Sequence, residues 1–181
     1  MGLRSAATDL ALVLLRDVLA VTTALGGAGI AHWVAGGWGV DALVGRQTRL
    51  HRDPDLAVDA AHLDGAVVLL RTLGYRAETD WLPVRLELAA AGERWVDLHP
   101  VVFDDRGDGR QAGLNGTSFV YPAADLVLGR IEKHPLPCLS ADRQREFHRG
   151  YPPRPVDVHD LALLAGLADP RRAAHHPHSA G

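Results

Sequence analysis

The spacing of apolar residues predicts both helices and strands. Between residues 10 and 25 apolar positions recur every three or four residues, which predicts an amphipathic first helix with Asp9 as its cap. The short apolar run at 30–35 predicts a buried strand. Further strands are predicted at 53–58, 84–89, 94–102, 119–121 and 129–132. Further helices are predicted at 38–44, 62–73, 140–148 and 156–168, with Ser140 capping the third.

Turn residues divide these elements. Residues 104–116 are rich in Gly, Asp and Arg and are predicted to form an exposed loop, while Pro135 and Pro137 are expected to end the last strand region. The strands at 84–89 and 94–102 are predicted to pair as a hairpin. The order of helices and strands predicts an α+β (α/β mixed) domain with a mixed sheet flanked by helices and a short C-terminal helical part.

Length and composition limit the possible classes of protein. The 181 residues fit one domain at 1–168, whose helical part covers about 140–168, and a disordered tail is predicted at 169–181. The net charge of −3 argues against a broad basic face for nucleic acid. Arg16 and Asp17 interrupt the first apolar run, so no membrane span is predicted. Cys138 is the only cysteine, which fits a cytoplasmic protein.

Three aspartates in the predicted strands are the main candidates for chemistry. Asp53 and Asp55 lie two residues apart, so their side chains are predicted to leave the same face of a strand. Asp97 lies in mid-strand between two apolar residues, where an apolar side chain is expected on a covered sheet face. Carboxylates gathered on one face repel each other unless a cation is present, and Mg²⁺ prefers such oxygen ligands. The alternative is an exposed edge strand with solvated aspartates.

A glycine pair precedes these aspartates. Gly36 and Gly37 follow a predicted strand and precede a predicted helix, where backbone N–H groups can bind phosphate. Arg49 and His51, in the loop that follows, are candidates to neutralise phosphate charge; a solvated surface position is the alternative for either. Asp41 is expected to hold this loop through hydrogen bonds.

Several segments together resemble one family. The segment 36–41 (Gly-Gly-Trp-Gly-Val-Asp), the segment 49–55 (Arg-Leu-His-Arg-Asp-Pro-Asp) and the segment 97–100 (Asp-Leu-His-Pro) resemble the antibiotic nucleotidyltransferases of the polymerase-beta-like superfamily, particularly the small lincosamide nucleotidyltransferases. The resemblance extends over about residues 28–165. It implies the nucleotidyltransferase fold and transfer of a nucleoside monophosphate from a nucleoside triphosphate to a hydroxyl, with release of pyrophosphate.

The resemblance also implies roles for individual residues. Asp53, Asp55 and Asp97 would be catalytic and would bind Mg²⁺, with two ions expected, and Asp97 would also take the proton of the attacking hydroxyl. Gly36 and Gly37 would hold the triphosphate of ATP or a related donor. Many wider superfamily members carry serine at the position of Gly37, so here the backbone must serve without that hydroxyl.

The acceptor site is predicted less sharply. Arg85, Glu87, Trp81, His99 and Tyr151 are candidate acceptor-binding residues. For Glu87 a surface ion pair is an equal alternative, and His99 is predicted either to orient Asp97 or to pack structurally. Phe147 and His148 are further candidates for an acceptor pocket, with core or subunit contacts as the alternative.

The sequence therefore predicts a Mg²⁺-dependent O-nucleotidyltransferase, transferring adenylate from ATP to a hydroxylated small natural product such as a lincosamide antibiotic, and so conferring resistance. One alternative is an enzyme that modifies a hydroxyl or carboxylate in a biosynthetic pathway. A second is a non-catalytic module that binds a nucleotide or a partner. A cytoplasmic homodimer, with no nucleic acid or membrane partner, is expected.

Overall fold

The computed structural model describes residues 13–149 and 151–167. In these two ranges nine strands form one sheet and five α-helices flank it. The strands are β1 (His32–Ala35), β2 (Asp55–Asp59), β3 (Arg76–Trp81), β4 (Arg85–Ala90), β5 (Arg94–Phe103), β6 (Gly109–Ala112), β7 (Ser118–Tyr121), β8 (Leu126–Ile131) and β9 (His134–Leu139). The helices are α1 (Leu15–Gly27), α2 (Gly36–Val44), α3 (Leu63–Thr72), α4 (Ala141–Phe147) and α5 (Pro155–Gly166).

The sheet is mixed, as the sequence predicts. Its strand order is β3-β4-β5-β2-β1-β9-β8, and β6 and β7 continue from the far end of β5. β2 runs parallel to β5, and β1 runs parallel to β9. The remaining neighbours are antiparallel, including the predicted hairpin of β4 and β5. The α+β fold class is therefore confirmed.

The two faces of the sheet differ in what they carry. On the face that we call the core face, Val34, Leu56 and Leu98 pack with α1, α2 and α3 in the main hydrophobic cluster. The opposite face, which we call the site face, holds a smaller apolar cluster that includes Ala57 and Tyr121. The same face carries Asp55, Asp97 and Glu87, each one residue away from a leucine of the core face.

Three strand predictions differ from the structure. β3 was not predicted, because most of its side chains are exposed and show no apolar alternation. β6 lies inside the segment predicted as a loop, since short strands rich in Gly and polar residues look like loops in sequence. β9 contains Pro135 and Pro137, which were expected to end the strands. Only Cys138 of β9 pairs with β1, so both prolines lie where the strand has one partner.

The ends of two predicted elements also need correction. The first helix begins at Leu15 rather than near residue 10, because the chain before it forms an isolated bridge from Val13 to His51. Its predicted cap, Asp9, lies outside the described residues, as do Ala168 and the predicted tail at 169–181. β2 begins at Asp55, so Asp53 and Pro54 precede the strand. The Ser140 cap is confirmed, since its side chain accepts a hydrogen bond from the Arg143 N–H at 3.2 Å.

Candidate active site

A row of acidic side chains crosses the site face at one register. Asp55 of β2 pairs with Asp97 of β5, and Asp97 pairs with Glu87 of β4. Residues directly opposite one another in neighbouring strands share a face, so the three carboxylates point the same way. Pro54 O accepts a hydrogen bond from Asp97 N–H at 3.0 Å, which keeps Asp53 close to the row. The predicted convergence of Asp53, Asp55 and Asp97 is present, and Glu87 joins it.

Two overlapping groups in this row have the spacing of metal ligands. Potential ligand atoms of Asp55, Asp97 and His99 lie within 4.8 Å of one another, and so do those of Asp53, Glu87 and Asp97. Asp97 belongs to both groups and is 3% exposed. Its Oδ1 is buried and makes no hydrogen bond. A buried carboxylate oxygen without a donor, among hard oxygen ligands, fits a divalent cation.

Burial and mutual repulsion change the acidity of these groups. Burial, and then the nearby charge of Asp55, raise the pKa of Asp53 to about 6. Burial is also the main cause that raises the pKa of Asp97, against the opposing influence of His99 and Arg85. The folded protein therefore holds these carboxylates in a site that disfavours their charge, which is the condition that a bound cation relieves.

Two arginines stacked on tryptophans partly neutralise the row. Arg52 donates to Asp53 at 2.8 Å and to Glu87 at 3.0 Å, and its guanidinium lies 4.9 Å from the centre of the Trp95 ring. Arg85 donates to Asp97 Oδ2. The ion pair that the sequence left open as an alternative for Glu87 is present: Glu87 is buried, and its partner Arg52 is half-exposed.

Arg85 and Trp81 form the second arginine–tryptophan stack. The Arg85 guanidinium lies 4.6 Å from the centre of the Trp81 ring. Trp81 is the last residue of β3 and is 53% exposed. This pair therefore presents a flat, open surface beside the ion pair of Arg85 with Asp97.

The glycine turn lies against the carboxylates. Gly36 has φ +58°, which favours glycine, and a Cβ there would overlap the Asp55 carboxylate. A Cβ at Gly37 would overlap the side chains of Arg49 and His51. The space that a larger side chain at position 37 would occupy is therefore filled by the two residues predicted to help bind phosphate.

Asp41 holds the loop that carries these residues, as predicted. It is fully buried and accepts hydrogen bonds from Thr48 N–H at 3.0 Å and from Thr48 Oγ1 at 2.6 Å. Its other oxygen pairs with His51 Nε2. The His51 ring also lies 4.5 Å from the Trp38 ring, centre to centre. His51 is thus buried between helix and loop, with Nδ1 towards Gly37.

The last helix fixes the same loop from outside. Arg49 donates two hydrogen bonds to Asp160, from Nε at 2.9 Å and from Nη2 at 2.7 Å. His159 Nε2 lies 3.1 Å from Thr48 Oγ1. Two neighbouring α5 residues therefore clamp the loop onto α2. The sequence did not reveal this role, because 111 positions separate each pair and no local pattern marks it.

A cavity of about 230 Å³ opens beside Asp55. Its polar floor includes His99 and Gln111, and its walls come from β7 and α4. The lining residues are Ala35, Gly36, Asp55, His99, Gln111, Phe119, Tyr121, Gln144, Phe147 and His148. Of these, Gln111, Phe119, Tyr121 and Gln144 were not singled out from the sequence.

The candidate acceptor residues are not all in this cavity. Phe147, His148 and His99 line it, whereas Trp81 and Tyr151 do not. Tyr151 is 41% exposed, and its hydroxyl lies 2.8 Å from His148 Nδ1. His99 contacts Asp55, with Nε2 3.2 Å from Oδ1, rather than the predicted partner Asp97.

Comparisons with known proteins identify the family of the chain. The model of the aminoglycoside-2''-adenylyltransferase family matches residues 17–164. A lincosamide resistance protein from Staphylococcus haemolyticus is 34% identical over 138 residues, which cover 76% of this chain and 86% of the relative. The chain belongs to the aminoglycoside-2''-adenylyltransferase family. It is therefore a nucleotidyltransferase, and the resemblance seen in the sequence is confirmed.

Solved structures extend the comparison to the fold. The crystal structure of the lincosamide antibiotic adenylyltransferase LnuA, lincomycin-bound, is 30% identical, with a TM-score of 0.79, and the match covers 87% of this chain and 99% of LnuA. ANT(2")-Ia in complex with adenylyl-2"-tobramycin is 21% identical, with a TM-score of 0.63, covering 84% of this chain and 88% of that one. This second match shows a common fold, and together they confirm the nucleotidyltransferase fold.

Family membership implies a nucleotide donor and a divalent metal ion, which the acidic row suits. The solved relatives bind small antibiotic molecules or their adenylyl derivatives. Among the described residues, none of the helices is long and apolar enough to cross a lipid bilayer.

Proposed function

We propose that this protein is a Mg²⁺-dependent O-adenylyltransferase that moves AMP from ATP to a hydroxyl of a lincosamide-like antibiotic and so inactivates it. The observation that carries the proposal is the register of Asp55, Asp97 and Glu87 in one row, of which Asp97 and Glu87 are buried. The lincosamide relatives, at 34% and 30% identity over most of both chains, support this acceptor class.

The carboxylates would hold the metal and accept a proton. Asp53, Asp55 and Asp97 would bind Mg²⁺, which supplies charge neutralisation for the triphosphate and the leaving pyrophosphate. The carboxylates in the two overlapping groups suit two ions. Asp97 would take the proton of the acceptor hydroxyl while the hydroxyl oxygen forms its bond to the α-phosphorus and the bond from that phosphorus to pyrophosphate breaks. Burial raises the pKa of Asp97, which makes its carboxylate a stronger base than an ordinary aspartate.

The glycine turn would bind the triphosphate. Gly36 and Gly37 open helix α2, whose first N–H groups have no intrahelical partner and attract anions. Arg49 lies against Gly37 and keeps its charge beside this turn through its pair with Asp160. His51, at 3% exposure, would act by packing the turn rather than by an open contact with phosphate.

The acceptor would enter beside the acidic row. The cavity walls of Phe119, Phe147 and His148 offer apolar contact, and its floor reaches Asp55. Trp81 and Arg85 offer a second surface near Asp97, and Glu87 can orient an acceptor through its link to Arg52. Tyr151 would contribute through His148 at the rim.

A product assay tests the proposal directly. The protein is incubated with Mg²⁺, with ATP or GTP, and with a panel of lincosamides and aminoglycosides, and products are weighed by mass spectrometry. We expect a lincosamide product whose mass is increased by one adenylyl group, together with released pyrophosphate. The Asp97→Asn variant should give no product. Adenylated aminoglycosides alone would overturn the acceptor class. Nucleotide binding without any product would favour the biosynthetic alternative.

A binding measurement addresses the non-catalytic alternative. The three predicted metal-binding aspartates and the glycine turn are all present, which argues for catalysis. Calorimetry that detects no binding of Mg²⁺ and ATP would favour a binding module for another partner. The homodimer, the cytoplasmic location, the absence of a nucleic acid partner and the domain limits 1–168 and 140–168 stay predictions.

A further inference from the structure

A chain of buried polar groups links the apolar wall of the cavity to the acidic row. The Tyr121 hydroxyl donates to Gln111 Oε1. Gln111 Nε2 lies 3.0 Å from His99 Nδ1, and His99 Nε2 lies 3.2 Å from Asp55 Oδ1. Tyr121 and Gln111 are 2% and 6% exposed, so their hydrogen bonds are sheltered from water.

One backbone carbonyl fixes the orientation of the Gln111 amide. Gln111 Nε2 lies 3.0 Å from Val84 O, which can only accept a hydrogen bond. The amide atom facing Val84 must therefore be the nitrogen. The same nitrogen carries a second hydrogen, and that one points at His99. Burial raises the pKa of Tyr121, which keeps its hydroxyl protonated as the donor to Gln111 Oε1.

The amide orientation determines where the His99 proton lies. His99 Nδ1 faces an N–H group, so the geometry assigns Nδ1 as the acceptor of this hydrogen bond. The ring proton is then on Nε2, which donates to Asp55. A histidine that binds a metal through Nε2 keeps its proton on Nδ1 and needs an acceptor there. Gln111 presents a donor at that place.

We propose that Gln111 is a positioning residue that holds His99 as the hydrogen-bond donor to Asp55 and so keeps His99 out of the metal's ligand set. This exclusion is needed because His99 otherwise has the spacing of a ligand beside Asp55 and Asp97. With imidazole excluded, the ion meets only oxygen atoms from the protein. Oxygen ligands suit Mg²⁺, whereas imidazole suits zinc, copper and nickel.

The inference rests on the proposed function for the presence of a metal, so its test separates the two. Mn²⁺ replaces Mg²⁺ as a paramagnetic probe, and electron spin-echo spectroscopy detects any imidazole nitrogen bound to the ion. The wild-type protein is expected to show no such nitrogen coupling. Nitrogen coupling that disappears in His99→Gln would overturn the proposal.

Two variants sharpen the test. Gln111→Glu places an acceptor beside His99 Nδ1, so the proton moves there, Nε2 is freed, and nitrogen coupling to Mn²⁺ is expected to appear. Tyr121→Phe is the matched control, because it removes a hydroxyl from the same chain but leaves the contact of Gln111 with Val84; it is expected to behave as wild type. Coupling absent from a folded Gln111→Glu variant that still binds Mn²⁺ would count against the positioning role.

The protonation of His99 can also be read without metal. Nitrogen NMR of histidine-labelled wild-type protein, with His99→Gln for assignment, is expected to show a proton on Nε2. A proton on Nδ1 with Nε2 bare would overturn the proposal even if Gln111→Glu does not fold. Failure of the wild type to bind Mn²⁺ would count against the proposed function, whereas the NMR result would still decide the role of Gln111.

Discussion

The two faces of the central strands show how one segment serves stability and chemistry at once. Leu56, Leu98 and Leu86 form a row on the core face, paired across β2, β5 and β4. One residue away on each strand, the site face carries the row of Asp55, Asp97 and Glu87. Burial of the leucines stabilises the fold, whereas burial of the carboxylates opposes it. The residues proposed for catalysis are therefore not the ones that hold the sheet together.

Asp97→Asn should give the largest effect on activity. Loss of the proton acceptor is expected to lower turnover by about 10²–10⁴-fold. Because burial raises the pKa of Asp97, its charge is costly in the fold, and the melting temperature should not fall. Steady-state kinetics and calorimetric melting provide the two measurements. Turnover close to wild type would remove Asp97 from the role of base.

Leu98→Ala is the matched change on the opposite face. Leu98 is fully buried in the main cluster, so a cavity and lost contacts should cost about 2–5 kcal/mol of the free energy of unfolding. Urea unfolding measures the loss, and the folded fraction should keep wild-type turnover. A fall in turnover as large as that of Asp97→Asn would show that packing on the core face also determines catalysis on the site face.

Gly37→Ser tests the contact between the glycine turn and its loop. The serine Cβ would overlap Arg49 and His51, so we expect a loss of about 1–3 kcal/mol of stability and weaker ATP binding. Thermal unfolding and calorimetry measure both. Gly27→Ser is the control, because nothing lies within 4 Å of a Cβ at that position. Equal effects of both changes would refute the steric explanation.

Metal binding should depend on pH through Asp53. Its pKa, raised to about 6, means that its proton is retained to higher pH than usual. Metal binding needs the carboxylate, so affinity for Mn²⁺ should fall as pH drops through 6, by about tenfold per pH unit. The stability of the metal-free protein should change in the opposite direction. Its free energy of unfolding should rise as pH drops through 6, since protonation relieves the cost of burying this charge. Titrations between pH 5 and 8, with Asp53→Asn for comparison, check both directions.

The sequence predicted the parts of the site that local alternation determines. Asp97 lies between Val96 and Leu98, and this pattern alone places it on the face opposite the core. The shared face of Asp55 and Asp97 then follows from their place in paired strands. The family motifs added the glycine turn, whose contact with Asp55 the structure shows.

The missing parts depend on contacts between distant segments. Gln111 lies in a short strand whose composition is that of a loop, so its approach to His99 could not be predicted. Asp160 lies in a helix that shows no sign of its partner Arg49. Such pairs form because of how the sheet and helices pack. The pattern of a single sequence does not show which distant residues this packing brings together.

The contact of α5 with the loop that carries Thr48 and Arg49 has a consequence for the order of events during synthesis on the ribosome. The three acidic side chains of the row, Asp53 beside them, and the glycine turn are synthesised before residue 100. Asp160 leaves the ribosome 111 residues after Arg49. A nascent chain can therefore form strands β2, β4 and β5, which carry the row, before the turn acquires its final support. The enzyme's activity should accordingly emerge only as synthesis passes the last helix.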